Sequence, residues 1–179
     1  MLARQIHNYI HGGTVMAYTP KQLGHLVIKV RDIERSVDFY TNVLGLTVMT
    51  GRPGGMTFLS ADTTMSHELA LIPLGMDAPG PEDRRVGMAH MAWQMNSFRD
   101  LKELYQRCKE HGVKFKRLGD HGISMGVYIY DPDDNEIEIY YESPESEWGN
   151  KDGFLFEGNF PWQLDPIEEP EPAAVGDDD

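Results

Sequence analysis

The sequence predicts an α+β fold of two paired βαβββ modules, and three observations predict it. A strand-like segment recurs at a fixed offset, a capped amphipathic helix follows each copy, and three short β-rich stretches follow each helix. Hydrophobic residues make up 40% of the 179 and charged residues 25%, as in ordinary globular proteins. No apolar run approaches the roughly 18 residues needed to cross a bilayer.

The first strand carries the repeat. Leu23-Gly24-His25-Leu26-Val27-Ile28-Lys29-Val30 aligns, 65 residues later, with Met88-Ala89-His90-Met91-Ala92-Trp93-Gln94-Met95, so that His25 falls on His90. At the same offset Asp32 meets Ser97, both good helix N-caps, and Ile33, Tyr40 and Val43 meet Phe98, Tyr105 and Cys108. The first helix places Ile33, Val37, Tyr40 and Leu44 on one face and stops at Gly45. The second places Phe98, Leu101, Tyr105 and Cys108 on one face and stops at Gly112. The following β-rich stretches run over 46–50, 56–60 and 68–72 in the first half, and over 113–117, 126–130 and 136–141 in the second. Residues 21–74 therefore form one module and 87–143 the other. The Gly-, Pro- and charge-rich stretch 75–86 is the linker between them.

The flanks read differently. Residues 1–20 form an N-terminal extension without the apolar stretch of a secretory signal, and Met16 is an alternative start. Residues 144–166 are aromatic and glycine-rich, suited to capping a cavity mouth or a subunit interface. Residues 167–179, rich in Pro and acid, are expected to be disordered because they bury too little to offset their ordering entropy. Asp165, Glu168, Glu169, Glu171 and Asp177 to Asp179 supply seven charges of a formal net charge of −13. That balance argues against nucleic acid as a partner, and the absence of a long apolar run argues against a membrane. The single cysteine, Cys108, has no intrachain disulfide partner, which fits a reducing, cytoplasmic compartment.

Strand alternation turns these segments into geometry. Leu26, Ile28 and Val30 suit packing under the helix, which leaves His25 and Val27 on the other face. In the second half Met91, Trp93 and Met95 face the helix, and His90, Ala92 and Gln94 face away. In the last strand Glu136, Glu138 and Tyr140 oppose Ile137, Ile139 and Tyr141. If the two sheets curl and pair, their non-helix faces enclose a cavity in which His25, His90 and Glu138 can converge. Two imidazoles and one carboxylate make a facial ligand set that leaves positions open, as suits Fe(II) and also Mn(II), Zn(II) or Ni(II). Other residues have plainer readings. His7 and His11 lie in the extension, and His111 sits in the last helical turn. Cys108 is a buried small hydrophobe, Trp93 is core, and Tyr130, Tyr140 and Tyr141 pack the sheet.

From about Leu23 to Glu142 the chain resembles the vicinal oxygen chelate superfamily, which includes glyoxalases, fosfomycin-resistance enzymes, bleomycin-binding proteins and extradiol dioxygenases. The marks are LGHLVIKVRDIERSVDFYTNVLGL, HELAL, MAHMAW and HGISMGVYIYDPDDNEIEIYYE. The last is the most specific. Its His-Gly-Ile-Ser, its Tyr three residues before Asp-Pro and its Asn-x-x-Glu resemble the signature of type I extradiol ring-cleaving enzymes, here in a small two-module form. Asp134 stands where that signature usually has Gly, and Asp tolerates left-handed backbone angles.

The resemblance implies that His25, His90 and Glu138 hold Fe(II), that His121 and Tyr128 bind the oxygenated intermediates, and that His67 is the acid-base residue. It implies cleavage of a small aromatic diol with O2, in a homodimer or larger homo-oligomer. Two rivals differ in chemistry. A glyoxalase-, epimerase- or thiol-transferase-like enzyme would use Glu68 as a fourth ligand. A metal-free drug-sequestering protein would use the cavity alone. Adjacent strand residues face opposite ways, so only one of His67 and Glu68 is expected to look into the cavity.

Overall fold

The computed structural model describes residues 20–82, 84–148 and 164–165. The N-terminal extension up to residue 19, most of the aromatic segment and the acidic tail from residue 167 lie outside the described residues. Two copies of one unit make up the rest. The first contains β1 (Leu26–Val30), α1 (Ile33–Asn42), β2 (Thr47–Gly51), β3 (Thr57–Ser60) and β4 (Leu69–Pro73). The second contains β5 (Met91–Gln94), α2 (Phe98–Glu110), β6 (Phe115–Asp120), β7 (Ser124–Tyr130) and β8 (Glu136–Glu142). A short 3-10 turn, Glu145–Glu147, follows.

Each sheet is mixed, with strand orders β1-β4-β3-β2 and β5-β8-β7-β6. The first strand of each unit pairs parallel with the last, and the remaining pairs are antiparallel. A helix between the first strand and the rest allows this, because a parallel return requires a long crossover. Both predicted caps form: Asp32 accepts from the Arg35 N–H, and Ser97 accepts from the Asp100 N–H. Gly45 (φ 80°) and Gly112 (φ 63°) take the left-handed conformation just past each helix. β6 and β7 extend further toward each other than expected, to Asp120 and from Ser124, because the His121 N–H donates to the Ser124 carbonyl across their turn.

The helix-side faces of both sheets merge into one core. Val30, Tyr40, Leu59, Leu69 and Leu71 join Leu101, Cys108, Val127, Ile129, Ile137 and Ile139 in a continuous buried cluster. Trp93 packs on it partly buried, and Cys108 is fully buried, as expected. The opposite faces of the first strands stay open: His25, Val27, Lys29, Ala92 and Gln94 are exposed.

A polar lock ties α1 to the turn between β7 and β8. The Tyr40 hydroxyl donates to Asp131 (2.9 Å), while Arg31 and Arg35 pair with Asp133 at 3.2 and 2.6 Å. Burial, reinforced by the adjacent Asp131 carboxylate, holds the Tyr40 phenol well above its usual pKa, so it stays a donor. Asp131 also accepts from the Asp133 and Asn135 N–H groups and from the Asn135 side chain. Within this turn Asp134 adopts φ 66°, the left-handed conformation anticipated for the position usually occupied by Gly.

The aromatic segment is expected at a cavity mouth or an interface. At its described end, Leu164 is buried in the helix-side core, Gln106 donates to its carbonyl, and Lys109 pairs with Asp165 at 2.8 Å.

Candidate metal and oxygen-chemistry site

Strand register sets one row of side chains across the open face of the second sheet. Ala92 lies opposite Glu138, Glu138 opposite Tyr128, and Tyr128 opposite Arg117. His90 precedes β5 on the same face, and its Nε2 lies 3.1 Å from Glu138 Oε2. That is the spacing of two ligands each about 2.1 Å from one ion. The Tyr128 hydroxyl donates to Glu138 Oε1 at 2.6 Å, and His121 Nε2 lies 3.0 Å from the same hydroxyl oxygen. A phenol has one proton. With that proton given to Glu138, His121 is the donor to Tyr128 and carries its own proton on Nε2. Four of the predicted residues, His90, Glu138, Tyr128 and His121, thus form one hydrogen-bonded chain.

Two glycines make room for it. A Cβ on Gly126 would lie 2.7 Å from Glu138 Oε1 and 2.9 Å from Tyr128 Cε2, and one on Gly119 would lie 3.0 Å from Tyr128 Cε2 and 3.1 Å from His121 Nε2. Burial, together with the hydrogen bond to Glu138, pushes the Tyr128 phenol up to about 12 against the opposing charge of Arg117. It remains protonated at neutral pH and serves as a donor.

The other predicted residues sit on the first sheet. The His25 and His67 rings lie 4.4 Å apart, and Phe58 meets the His67 ring edge-on at 5.0 Å. Glu68 lines the same cleft as His25, but its carboxylate is held by the 60–62 turn. Its Oε2 accepts from the Ser60 hydroxyl (2.9 Å) and from the N–H groups of Ala61 (2.8 Å) and Asp62 (3.0 Å). Burial works to raise the Glu68 carboxyl, but those hydrogen bonds outweigh it and hold the group below its usual range.

Register also shows which residue of the first half corresponds to Glu138. Val27 lies opposite Ala70, Ala70 opposite Phe58, and Phe58 opposite Thr50, so Ala70 occupies the place of the carboxylate. Among the described residues, no three His, Cys, Asp or Glu side chains are placed to hold one metal ion. His25, expected to converge with His90 and Glu138, is therefore not gathered with them in this single chain. It stands on the exposed first-sheet face, and only the other two meet.

Sequence reasoning missed Arg117. Its guanidinium lies 3.5 Å from the centre of the Tyr128 ring, a cation–π contact. The only signal was a basic residue in a predicted strand, and alternation alone does not give its register.

Comparisons with known proteins follow the same division between fold and chemistry. A family model described as the Glyoxalase/Bleomycin resistance protein/Dioxygenase superfamily matches residues 22–139. A catechol-2,3-dioxygenase of Bacillus subtilis (strain 168) is 32% identical over 129 residues, 70% of this chain and 43% of that protein. A biphenyl-2,3-diol 1,2-dioxygenase of Rhodococcus globerulus is 30% identical over 129 residues, 72% of this chain and 66% of that protein. The chain thus spans less than half of the first and just under two thirds of the second. Among solved structures, the fosfomycin resistance protein FosX from Listeria monocytogenes shares the fold at a TM-score of 0.55 and 20% identity, over 71% of this chain and 98% of that one.

Proposed function

The chain belongs to the Glyoxalase/Bleomycin resistance protein/Dioxygenase superfamily, and from that premise we propose that it is an Fe(II)-dependent extradiol dioxygenase opening the ring of a small aromatic diol with O2. The observation that carries this reading is the chain His90–Glu138–Tyr128–His121, in which a ligand-type pair is joined directly to two proton-bearing groups. The absence of a carboxylate at Ala70 supports it as well. A second acid there would close the metal, whereas one carboxylate and two histidines leave adjacent positions free.

In this reading His90 and Glu138 hold the ion, and His25 completes the set from the exposed face of the first sheet, brought there by a second copy in the expected homo-oligomer. Fe(II), when bound, supplies neighbouring coordination positions for the diol and dioxygen and a route for electron density between them. The chain supplies the proton chemistry. Tyr128, protonated to about pH 12, offers a hydrogen bond to a substrate or dioxygen oxygen once Glu138 is engaged elsewhere. His121 supports that phenol from behind. His67, packed against His25 and edge-on to Phe58, is positioned to accept a proton from a diol hydroxyl. The His90 Nε2 lone pair must be free to bind metal, so its ring proton would sit on Nδ1.

The rival isomerase or thiol-transferase chemistry assigns Glu68 to the metal. Its carboxylate already accepts three hydrogen bonds from the 60–62 turn, which disfavours that role. The test is metal analysis of anaerobically purified protein together with O2 uptake on adding catechols. About one iron per chain with substrate-dependent uptake and a yellow ring-opened product is expected. Bound Zn, Ni or Mn without uptake would point to the rival chemistry, and no bound metal to the sequestering one. Mixing His25→Ala with Glu138→Gln protein tests the shared site. Recovery of metal binding in the mixture is expected if the ligands come from two copies.

A further inference from the structure

Three cations, Lys114, Lys116 and Arg117, stand on or beside β6, and two are already matched by acids. Lys114 pairs with Asp134 at 2.9 Å and Lys116 pairs with Glu136 at 2.5 Å. Arg117 forms no ion pair with a carboxylate among the described residues; its guanidinium lies 3.5 Å from the centre of the Tyr128 ring instead. A guanidinium over an aromatic ring still presents N–H donors at its edge to a planar anion.

Its position is built. β6 pairs with β7 through Phe115 and Ile129, then through Arg117 and Tyr128, so one residue, Lys116, is bulged out of the ladder. Regular pairing would have set Arg117 opposite Val127, a core residue. The bulge instead brings it into the row of Tyr128 and Glu138, as bulges re-aim side chains beside functional sites. Gly119 then clears its path, since a Cβ there would lie 2.6 Å from Arg117 Nη1.

We infer that Arg117 anchors an anionic substituent of the substrate, so that the aromatic diol accepted at this site carries a carboxylate. The diol half of this statement rests on the proposed ring-cleaving function. The anion half rests on the bulge, the glycine and the unmatched guanidinium. A carboxylate beside the exposed Arg117 guanidinium forms charge-assisted hydrogen bonds, and a neutral group of the same size does not.

The experiment is an anaerobic equilibrium titration of the intact, Fe(II)-loaded chain with 3,4-dihydroxybenzoate, 3,4-dihydroxyphenylacetate and neutral 4-methylcatechol. At least one acid is expected to bind roughly tenfold to a hundredfold tighter than the neutral diol, with the preference shrinking as salt is raised. Arg117→Met is expected to erase that ratio, and Arg117→Lys to keep part of it. Acids that bind no better than 4-methylcatechol to the unmodified chain would overturn the inference whatever the variants do. So would an Arg117→Met protein weakened equally toward all three, because the arginine would then serve only to position Tyr128. Salt-sensitive acid preference without O2 uptake would uphold the anion site while removing the ring-cleaving function.

Discussion

The two halves of this molecule carry the same ladder with different side chains in it. Across the open face of the first sheet the row reads Val27, Ala70, Phe58, Thr50; across the second it reads Ala92, Glu138, Tyr128, Arg117. Backbone pairing, helix caps and core are shared, so these replacements account for why one half holds a hydrogen-bonded, charged site and the other an apolar surface beside two histidines. Duplication supplies the geometry, and side-chain identity at three positions turns it into chemistry.

The largest expected effect comes from making the second row resemble the first. Glu138→Gln keeps the size but removes the anion, and metal affinity is expected to fall roughly a hundredfold or more, measured by metal titration under anaerobic conditions. Unchanged affinity would mean that the row is not a metal site. Gly126→Ala keeps every functional group but places a Cβ 2.7 Å from Glu138 Oε1. Expected are a loss of about 1–3 kcal/mol in denaturant unfolding and weaker metal binding. Gly24→Ala, with nothing within 4 Å of its Cβ, is the control and should change neither.

Tyr40→Phe tests the lock between the halves. Asp131 keeps its Asn135 partners, so a loss of about 1–2 kcal/mol is expected with metal binding intact. Glu68→Gln separates ring cleavage, which uses Glu138 alone, from the rival chemistry, which would use Glu68 as well. Metal is expected to stay, and stability at neutral pH to drop by about 1 kcal/mol, since the site is only half-buried. The folded-state pKa of Glu68 lies below its ordinary 4.5. Its contribution is therefore fully present above that value and is lost as pH falls through the lowered one, so the gap between wild type and Gln should close in acid. The smallest effect is at Cys108. Burial pushes its thiol up to about 12, and no alkylation is expected until the chain unfolds.

Much of this was legible in the sequence, and the remainder was hidden for identifiable reasons. Caps at Asp32 and Ser97, apolar helix faces and alternating strands are local signals, and they placed ten elements and both matched histidines. The correspondence of Ala70 with Glu138 was not visible, because turns of unequal length shift the offset from 65 at the histidines to 70 at Phe58 and Tyr128 and 68 at Ala70 and Glu138. Arg117 was missed because a bulge breaks the alternation on which face assignment depends. His25 was expected in a three-ligand set, yet strand direction fixes only the face a residue lies on, and convergence of two faces is a property of how modules pair. The capture of the Glu68 carboxylate by the 60–62 turn is a matter of loop geometry, which periodicity does not encode.

The bulge in β6 has a counterpart. In the first sheet Val48 pairs with Leu59 and Thr50 with Phe58, so Met49 is looped out at the same rung as Lys116. The irregularity at one rung in both copies belongs to the shared backbone plan rather than to the side chains of either row. Thr50 consequently occupies the same aimed position as Arg117, so the first half is a partial mould: a charged side chain placed there would stand beside Phe58 on the open face, but without the clearance that Gly119 and Gly126 give the second half, because Arg52 and Met56 stand at those positions in the first.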